Sequence, residues 1–394
     1  MLDLRAHFSR FLGADPGRLH FAAHSHHPWP DVTREAQLRA WDEAARLMDG
    51  KWARILGPLW REAQGHVARH LRLPDPATVV FAPSTHDFVV RILSALPLSL
   101  RGAARPPRVL TTDGEFHSFG RQAARLEEEG LIAVTRIPSE PGPDCLPRLV
   151  EAAQRERFDL IWVSEVFFGT GFALTGLEAL AAAAGEAVLV LDGYHAFLAR
   201  PVDLAAIADR AFWLAGGYKY AMAGEGTCFL HCPPGWLPRP RATGWFAGFA
   251  ALSEGRGGDA VPYPVDAGRF LGATFDPSGL YRFNAAMGWL QGLGLDAAAV
   301  HAHALALQFR FVVGLEAVGG PLGLDPARLA VALSETRRGN FLAFDLPDAA
   351  AAEARLAAAG IVTDHRGARL RIGFGLHHTA EEVDRLLNRL RRIR

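Results

Sequence analysis

The stretch E-A-V-L-V-L-D-G-Y-H-A-F-L-A-R-P-V-D, residues 186–203, and the segment A-F-W-L-A-G-G-Y-K-Y, residues 211–220, decide the fold. Ala187 to Leu191 is a continuous apolar run of strand length, typical of a parallel strand covered on both faces, and it stops at Asp192. The second segment opens with another apolar run and ends in a glycine pair that allows a tight turn before Lys219. Because open α/β sheets bind ligands at the carboxyl ends of their strands, Asp192 and Lys219, 27 positions apart, are predicted to face one pocket.

An acid and a lysine at one sheet edge are the pair that pyridoxal phosphate (PLP) chemistry requires. The lysine amine forms a Schiff base with the cofactor aldehyde and later moves protons, while the acid keeps the pyridine nitrogen protonated so that the ring accepts electrons. The plainer alternative is that Asp192 only caps a turn and that Lys219 is solvated. We predict PLP as the cofactor, with Lys219 and Asp192 as catalytic residues.

The pattern D-G-Y-H-A-F…P-V-D-L…A-G-G-Y-K-Y resembles the kynureninase branch of the class V aminotransferase-like enzymes, which have fold-type I. In that family an Asp-x-x-His after a strand and a Gly-Tyr-Lys-Tyr hold the cofactor. The resemblance therefore implies that His195 steadies the ring region and that Tyr218 binds the phosphate. It also implies an α/β fold, with a mostly parallel seven-stranded sheet between helices in a large domain and a smaller C-terminal α+β domain.

Length and composition limit the class of protein. A chain of 394 residues can bury a large core and a smaller lobe, and its net charge of zero favours no nucleic-acid or membrane partner. Three cysteines are too few for a disulfide framework, so reduced thiols and a cytoplasmic location are expected. No signal-peptide core opens the chain, and charge, Gly or Pro interrupts each long apolar run, so no membrane span is predicted.

The first residues read as an extended arm. The segment H-F-A-A-H-S-H-H-P-W-P, residues 20–30, contains prolines that oppose a helix. Its histidines invite a metal site, but no Asp, Glu or Cys of fitting spacing accompanies them, so no metal is predicted. The family has N-S-L-G-P-x-P here, lining the active site, which implies a substrate-pocket role for His24 and Ser25. An ordinary packed arm is the alternative.

Three units are predicted along the chain. Residues 1–45 form the arm and a helix that joins the small lobe, residues 46–285 form the large PLP-binding domain, and residues 286–394 form the small C-terminal domain. Residues 31–71 have helical periodicity that begins with an Asp31 cap, and their tryptophans favour a subunit interface.

A short strand, Thr78 to Ala82, precedes P-S-T-H-D and a helix. Hydroxyl residues at the start of a helix offer donors to an anion and the helix dipole adds attraction, so a phosphate is predicted there, although a simple N-cap has the same letters. The family loop D-S-T-S-V-N-L matches at Ser84 and Thr85, with His86 replacing the next serine. The resemblance thus implies that Thr85 and His86 contact the cofactor.

Two further strands lead to predicted cofactor contacts. After the strand at 109–112 comes F-H-S-F, where Phe116 is the flat side chain that can stack on the ring. The motif resembles the family F-P-T-D, with Phe119 in place of the aspartate, which leaves the substrate open. The strand Leu160 to Ser164 resembles the family S-x-V-x-Y-x-T-G, which places Ser164 near a cofactor oxygen.

The C-terminal half completes the resemblance. Trp245 in T-G-W-F and Thr274 in R-F-L-G-A-T match family residues that bind phosphate, the threonine across a dimer interface. Arg371 lies inside an apolar alternating strand, and a guanidinium fits an α-carboxylate in bidentate fashion. The family uses this arginine as its carboxylate clamp, while His377 stands near the place of a family tyrosine. A surface arginine on an edge strand is the alternative.

These motifs predict a PLP enzyme that acts on an amino acid as a homodimer with the site at the subunit interface. The resemblance implies kynureninase-type hydrolytic Cβ–Cγ cleavage, releasing alanine and an anthranilate-type acid from kynurenine or 3-hydroxykynurenine, with Lys219 abstracting the α-proton. Transamination, β-elimination and epimerisation are alternatives within the family, and a catalytically degenerate PLP-binding regulator is an alternative outside catalysis. A cysteine desulfurase is disfavoured because D-H-R-G-A-R-L, which precedes Arg371, contains no cysteine to accept sulfur.

Overall fold

A seven-stranded sheet organises the larger part of the molecule. The computed structural model describes residues 2–96, 105–248 and 260–393. The sheet has the order β2-β8-β7-β6-β5-β3-β4. Its strands are β2 Val79–Ala82, β3 Arg108–Thr112, β4 Ala133–Ile137, β5 Leu160–Ser164, β6 Val188–Asp192, β7 Ala211–Gly216 and β8 Cys228–His231. β8 runs antiparallel to both of its neighbours, and the other pairs are parallel, as predicted.

The sheet is covered on both faces, since every residue of β5 and β7 and all but the last residue of β6 are buried. The helices of the chain are α1 Ser9–Gly13, α2 Val32–Leu47, α3 Lys51–Arg54, α4 Trp60–Leu71, α5 Thr85–Ala95, α6 His117–Glu128, α7 Gly142–Arg155, α8 Leu177–Ala183, α9 Ser278–Gly292, α10 Ala297–Val318, α11 Ala349–Ala358 and α12 Ala380–Leu390. The chain therefore adopts the predicted α/β architecture.

A second apolar cluster lies in the C-terminal part of the chain. It packs α10, α11 and α12 against the antiparallel sheet β11-β12-β9, formed by Asp364–Arg366, Arg369–Gly373 and Phe341–Asp345. The arm joins this lobe because β1, Leu19–His20, pairs in parallel with β10, Ile361–Val362. The boundaries 1–45, 46–285 and 286–394 remain predictions.

Several local predictions differ from the structure. The helical stretch 31–71 is broken into α2, α3 and α4, with a π-helical turn at Ile55–Leu59 that contains Pro58. Asp31 does not cap α2; its carboxylate instead accepts hydrogen bonds from the Ser9 and Arg10 backbone N–H groups at the start of α1. Strand β4 and helix α7 are additional to the predicted elements.

Among the described residues one helix, α10, is long and apolar enough to cross a membrane by length and composition alone. Its Leu307, Phe311 and Leu315 are buried in the C-terminal cluster. Core helices pass the same test, so the helix is accounted for by packing.

Candidate active site

The sheet brings the predicted catalytic residues together at its carboxyl edge. Asp192 ends β6, directly beside Ser164 at the end of β5, and Lys219 follows β7 by three residues. A cavity of about 350 Å³ opens there. It is lined by His24, Ser25, Thr85, Phe116, Ser164, Val166, Phe168, Asp192, Tyr194, His195, Tyr218, Lys219, Arg366 and Arg371. Most of the predicted site residues therefore share one cavity.

Lys219 is the centre of this cavity. Its Nζ is in hydrogen-bond contact with Nε2 of His195 and lies 4.8 Å from the Tyr194 ring centroid and 5.6 Å from that of Phe116. Asp192 accepts a hydrogen bond of 3.0 Å from the Tyr194 backbone N–H, which fixes its carboxylate at the turn after β6. The lysine is thus held among one imidazole, two aromatic rings and a nearby acid.

Burial shifts the protonation of this group. It lowers the pKa of Lys219 to about 7, although the charge of Asp192 opposes the shift. Burial also raises the pKa of Asp192 and lowers the pKa of His195 well below its usual value. A large fraction of Lys219 is consequently the neutral, nucleophilic amine near neutral pH, while His195 is a neutral imidazole.

Lysine is rare in this chain, and this rarity draws attention to Lys219. The chain contains two lysines, Lys51 and Lys219, and arginine supplies all its other long cationic side chains. Lys51 lies in α3, with its Nζ 5.7 Å from the Trp52 ring centroid, and is not part of the cavity lining. Arginine cannot form an imine, so the lysine at 219 has a chemical reason for its identity.

The glycine pair before Lys219 is required for space. Neither Gly216 nor Gly217 has a positive φ, so the turn does not depend on left-handed backbone. A Cβ at Gly216 would instead lie 2.5 Å from Cys228 Sγ and 2.5 Å from Tyr194 Oη. Glycine at this position lets the Tyr194 ring pack beneath the cavity.

A buried acid supports Ser164, which lines the cavity. Ser164 Oγ donates to Glu115 Oε2 at 2.6 Å, and Thr112 Oγ1 donates to Glu115 Oε1 at 2.6 Å. Burial raises the pKa of Glu115 to about 7. Sequence reasoning missed Glu115, which lies directly before Phe116 and orients the Ser164 hydroxyl.

The predicted phosphate region is partly assembled. Thr85, the first residue of α5, lines the cavity after Ser84, which forms a capping box with Asp87. The Tyr218 hydroxyl lies 3.4 Å from His26 Nδ1 of the arm. The hydroxyl residues Thr85 and Tyr218 therefore line the same cavity, and hydroxyl donors suit an anion.

Three predicted residues lie outside the cavity lining: His86, Trp245 and Thr274. The Trp245 indole donates to Thr274 Oγ1 at 3.2 Å, so these two side chains form one exposed unit. Phosphate binding by Trp245, and by Thr274 across a dimer interface, stays a prediction.

A second charged cluster supplies Arg371 and His24 to the cavity lining. Arg371 is 2% exposed and pairs through Nε and Nη2 with Asp364, which lies directly opposite on β11. His24 Nε2 lies 2.9 Å from the same carboxylate. Burial alone would raise the pKa of Asp364, but hydrogen bonds and charges from His24 and Arg371 outweigh it and lower the pKa. Sequence reasoning missed Asp364, because the arm that supplies its imidazole partner is 340 positions away.

Arg371 keeps donors for a ligand. Within the described residues, three of its N–H groups are used, two by Asp364 and one by the Phe168 carbonyl at 2.6 Å. A guanidinium has five N–H donors, so two remain on a side chain that lines the cavity. This geometry allows a carboxylate to be held while Asp364 fixes the arginine.

The two departures from the kynureninase pattern have structural explanations. Phe119 is buried in α6 and stacks on Trp162, with ring centroids 4.3 Å apart and planes 3° from parallel. His377 is buried and its Nε2 lies 3.2 Å from the His20 carbonyl. Neither lines the cavity, so both are packing residues of this chain.

The residues present fit PLP. The cavity offers an amine for an aldehyde, a carboxylate for a pyridinium nitrogen, an aromatic face in Phe116, and the hydroxyl groups of Thr85 and Tyr218 for a phosphate. Within the described parts of the chain, no group of three or more His, Cys, Asp or Glu side chains is arranged to hold a metal ion.

The sequence profile of the aminotransferase class-V family matches residues 55–386. The chain belongs to this family. A probable cysteine desulfurase of Vibrio cholerae serotype O1 is 27% identical over 339 residues, which cover 82% of this chain and 80% of that protein.

Solved structures of class V enzymes share the fold. The apo cysteine desulfurase of Thermococcus onnurineus NA1 has a TM-score of 0.76 at 16% identity, covering 95% of this chain and 94% of that one. The cystine C-S lyase C-DES, in complex with its product cysteine persulfide, has a TM-score of 0.78 at 16% identity, covering 95% and 98%. A C-DES variant with glycine covalently linked to its PLP cofactor has a TM-score of 0.79 at 16% identity and covers both chains fully. The fold is fold-type I, and the protein is a PLP-dependent class V enzyme.

The predicted kynureninase-type reaction is wrong. The named relatives of this class V enzyme are cysteine desulfurases and a cystine C-S lyase. The motifs that carried the resemblance surround the cofactor, and a shared cofactor site does not fix which bond is broken. The findings favour the alternative of another class V activity.

The thiols of this class V enzyme are remote from solvent. Cys145, Cys228 and Cys232 are the cysteines of the sequence; all three are free, buried and absent from the cavity lining. Cys228 lies nearest, with Sγ 3.7 Å from the Tyr194 hydroxyl, but it is 4% exposed and burial raises its pKa to about 12. The described cavity therefore offers no thiolate to a substrate.

Proposed function

We propose that the protein is a PLP-dependent C–S lyase, which eliminates a thiol from Cβ of a cysteine-type amino acid. The observation that carries the proposal is that Lys219 and Arg371 share a cavity that none of the three cysteines lines. An elimination requires an amine to take the proton and a cation to hold the substrate carboxylate. It does not require a protein thiol. Sulfur transfer to the enzyme would need an accessible cysteine.

The residues have distinct roles in this reaction. Arg371 would hold the substrate carboxylate with its two remaining N–H groups, Asp364 keeping the guanidinium in place. Lys219 would take the proton from Cα through its neutral amine, with His195 orienting that amine. PLP, when bound, supplies the electron sink that lets this proton leave.

The chemistry balances without an oxidant or reductant. The Cα–H and Cβ–S bonds break, the sulfur leaves with one proton as a thiol, and water releases the remaining carbon skeleton. One substrate and one water give one thiol, one pyruvate and one ammonium. Asp192 would keep the ring nitrogen charged, and Thr85, Ser164 and Tyr218 would contact the cofactor.

A product panel tests the proposal. The purified holoenzyme is incubated with cysteine, cystine, S-methylcysteine and kynurenine, and pyruvate, thiol, persulfide, alanine and anthranilate are measured. Pyruvate should equal the hydrogen sulfide released from cysteine, the cysteine persulfide released from cystine and the methanethiol released from S-methylcysteine, so sulfide is measured as well. Alanine together with sulfur bound to the protein would instead indicate a desulfurase, the name carried by the Vibrio relative. Cys228→Ser would then lose activity, whereas a lyase keeps it.

We further propose that the enzyme is a homodimer whose site lies at the subunit interface, and that it works in the cytoplasm. Trp41 of α2 is 76% exposed, and the Trp245–Thr274 unit is also on the surface. Light scattering measures the subunit number. Mixing inactive Lys219→Ala with a Thr274→Val variant should restore activity if Thr274 serves the neighbouring subunit, because the mixed dimer then has one intact site.

A further inference from the structure

A second cavity, of about 450 Å³, adjoins the active-site cavity. Phe168 and Arg366 line both cavities, so they stand at the junction. The second cavity continues past them along Asp113 and His117, at the ends of strand β3 and helix α6. It is more open than the first, and a substrate anchored at Arg371 and Lys219 can extend toward it.

Phe168 is a fixed wall at the junction. Its ring packs edge-on against Phe116, with centroids 5.4 Å apart, and against His117, at 5.2 Å. Its carbonyl accepts the hydrogen bond from Arg371 Nη1. Because both ends of the residue are engaged, a substituent on substrate Cβ passes beside the Phe168 ring toward Arg366.

Arg366 is a cation at the junction, and most of its N–H groups donate no hydrogen bond within the described residues. Of the three arginines on the β11–β12 hairpin, Arg369 is held by Glu140 through both Nη atoms and by Asp345, and Arg371 is held by Asp364 and Phe168. Arg366 donates one hydrogen bond within the described residues, to the His365 carbonyl, and its Nη2 is 3.6 Å from Asp364. Arg369 also lines the second cavity, but two carboxylates balance its charge, whereas Arg366 shares the single carboxylate of Asp364 with Arg371. An anion at the junction therefore meets Arg366 as the less neutralised guanidinium.

We infer that the second cavity is the leaving-group subsite and that Arg366 selects substrates whose sulfur substituent carries a carboxylate. The substrate class is an amino acid with two acidic ends, one held by Arg371 and the other by Arg366. This inference rests on the proposed lyase function. Arg366 touches the substrate away from the reacting bonds, so it determines specificity and leaves the chemistry at Cα unchanged.

A pair of matched substrates tests the inference. S-Carboxymethylcysteine and S-carbamidomethylcysteine have the same shape, but only the first has an anionic substituent. Wild-type kcat/KM should favour the anion by about tenfold, as expected for one charge-assisted hydrogen-bonded pair. Arg366→Gln should remove the preference by raising KM for the anion alone, and Arg366→Lys should restore part of it. Arg310→Gln, which removes an arginine that is paired with Asp384 and lines neither cavity, should leave the ratio unchanged.

Binding separates failure of the subsite from failure of the lyase proposal. The dissociation constants of both thioethers are measured by titrating the visible absorbance of the holoenzyme. A binding preference that Arg366→Gln removes, without any pyruvate, would support the subsite and refute the lyase. Pyruvate from both compounds with equal kcat/KM in the wild type, or a preference that survives in Arg366→Gln, would refute the subsite.

Discussion

Two clusters of the same three chemical types, a cation, an acid and an imidazole, contribute side chains to the lining of the cavity. The first is Lys219 with Asp192 and His195, and it is built on successive strands of the large sheet. The second is Arg371 with Asp364 and His24, and it joins the β11–β12 hairpin to the arm.

The two clusters differ in how the cation meets its acid. Arg371 and Asp364 form a bidentate pair, which holds both groups charged and lowers the pKa of the acid. Lys219 contacts His195 rather than a carboxylate, so burial dominates and lowers its pKa to about 7. The first cluster is therefore reactive, while the second is a rigid support. The same residue types give chemistry or architecture according to pairing geometry.

The largest expected effect comes from removing the reactive cation. Lys219→Ala should abolish covalent attachment of PLP and lower kcat by at least about a hundredfold, because one amine both binds and moves the proton. Borohydride reduction followed by peptide mass spectrometry should mark Lys219 in the wild type. Lys51→Ala is the matched control and should keep full activity; a mark on Lys51 would refute the assignment.

Removing the acid of the same cluster should weaken catalysis while cofactor attachment persists. Asp192→Asn is nearly isosteric, but it no longer stabilises positive charge on the ring nitrogen, and kcat should fall about a hundredfold. Stopped-assay kcat values and the visible spectrum are compared. An unchanged kcat together with an unchanged spectrum would show that Asp192 does not pair with the ring nitrogen of the cofactor.

Asp364→Asn tests the support cluster. It leaves the buried Arg371 charge without its acid, which should cost about 3 kcal/mol in the free energy of unfolding. KM should rise about tenfold, the size of one charge-assisted bond, and kcat should change less. Denaturant unfolding and steady-state kinetics measure both. Asp345→Asn removes a half-exposed partner of Arg369 and should cost less than about 1 kcal/mol. Equal losses from the two variants would contradict a special role for Asp364.

The smallest effect concerns pH. The amine of Lys219 is nucleophilic only when neutral, and with a pKa of about 7 its neutral fraction rises with pH. Uptake of PLP by the apoenzyme should therefore accelerate about tenfold from pH 6 to pH 8. Stopped-flow absorbance measures the rate. In Asp192→Asn the midpoint should move to lower pH, since the charge that favours the ammonium is gone. A rate independent of pH would contradict a lowered pKa of the Lys219 amine.

The reactive cluster could be predicted from sequence because each of its parts ends or follows a buried apolar strand. Asp192 and Ser164 are the last residues of parallel strands, so both lie at the carboxyl edge of the sheet. Side chains alternate between the two faces of a strand, so the face on which each one lies is also predictable. Strand β4 escaped prediction because it is a half-exposed edge strand, and α7 because Pro147 lies inside it. β4 is the edge strand, separated from β7 in the sheet by β6, β5 and β3.

Arg371 and His24 of the support cluster were predicted singly, but their connection through Asp364 could not be predicted, because it depends on contacts that are remote in sequence. His24 reaches Asp364 only after β1 pairs with β10, and Phe341 of β9 then stacks on His24 at 4.6 Å and also contacts His195 at 5.6 Å. The reaction was mispredicted for a related reason: the motifs describe how the cofactor is held, whereas the leaving group is met by residues of the hairpin and the loop at Phe168.

The scarcity of lysine has a consequence for chemical damage. Apart from a terminal amine, reducing sugars, acyl donors and reactive aldehydes find two primary amines on this chain, and one of them is Lys219. Modification of the other leaves the cavity untouched. Slow inactivation of stored protein by such compounds would therefore report chemical modification of Lys219 alone. PLP bound at that amine would protect it from modification.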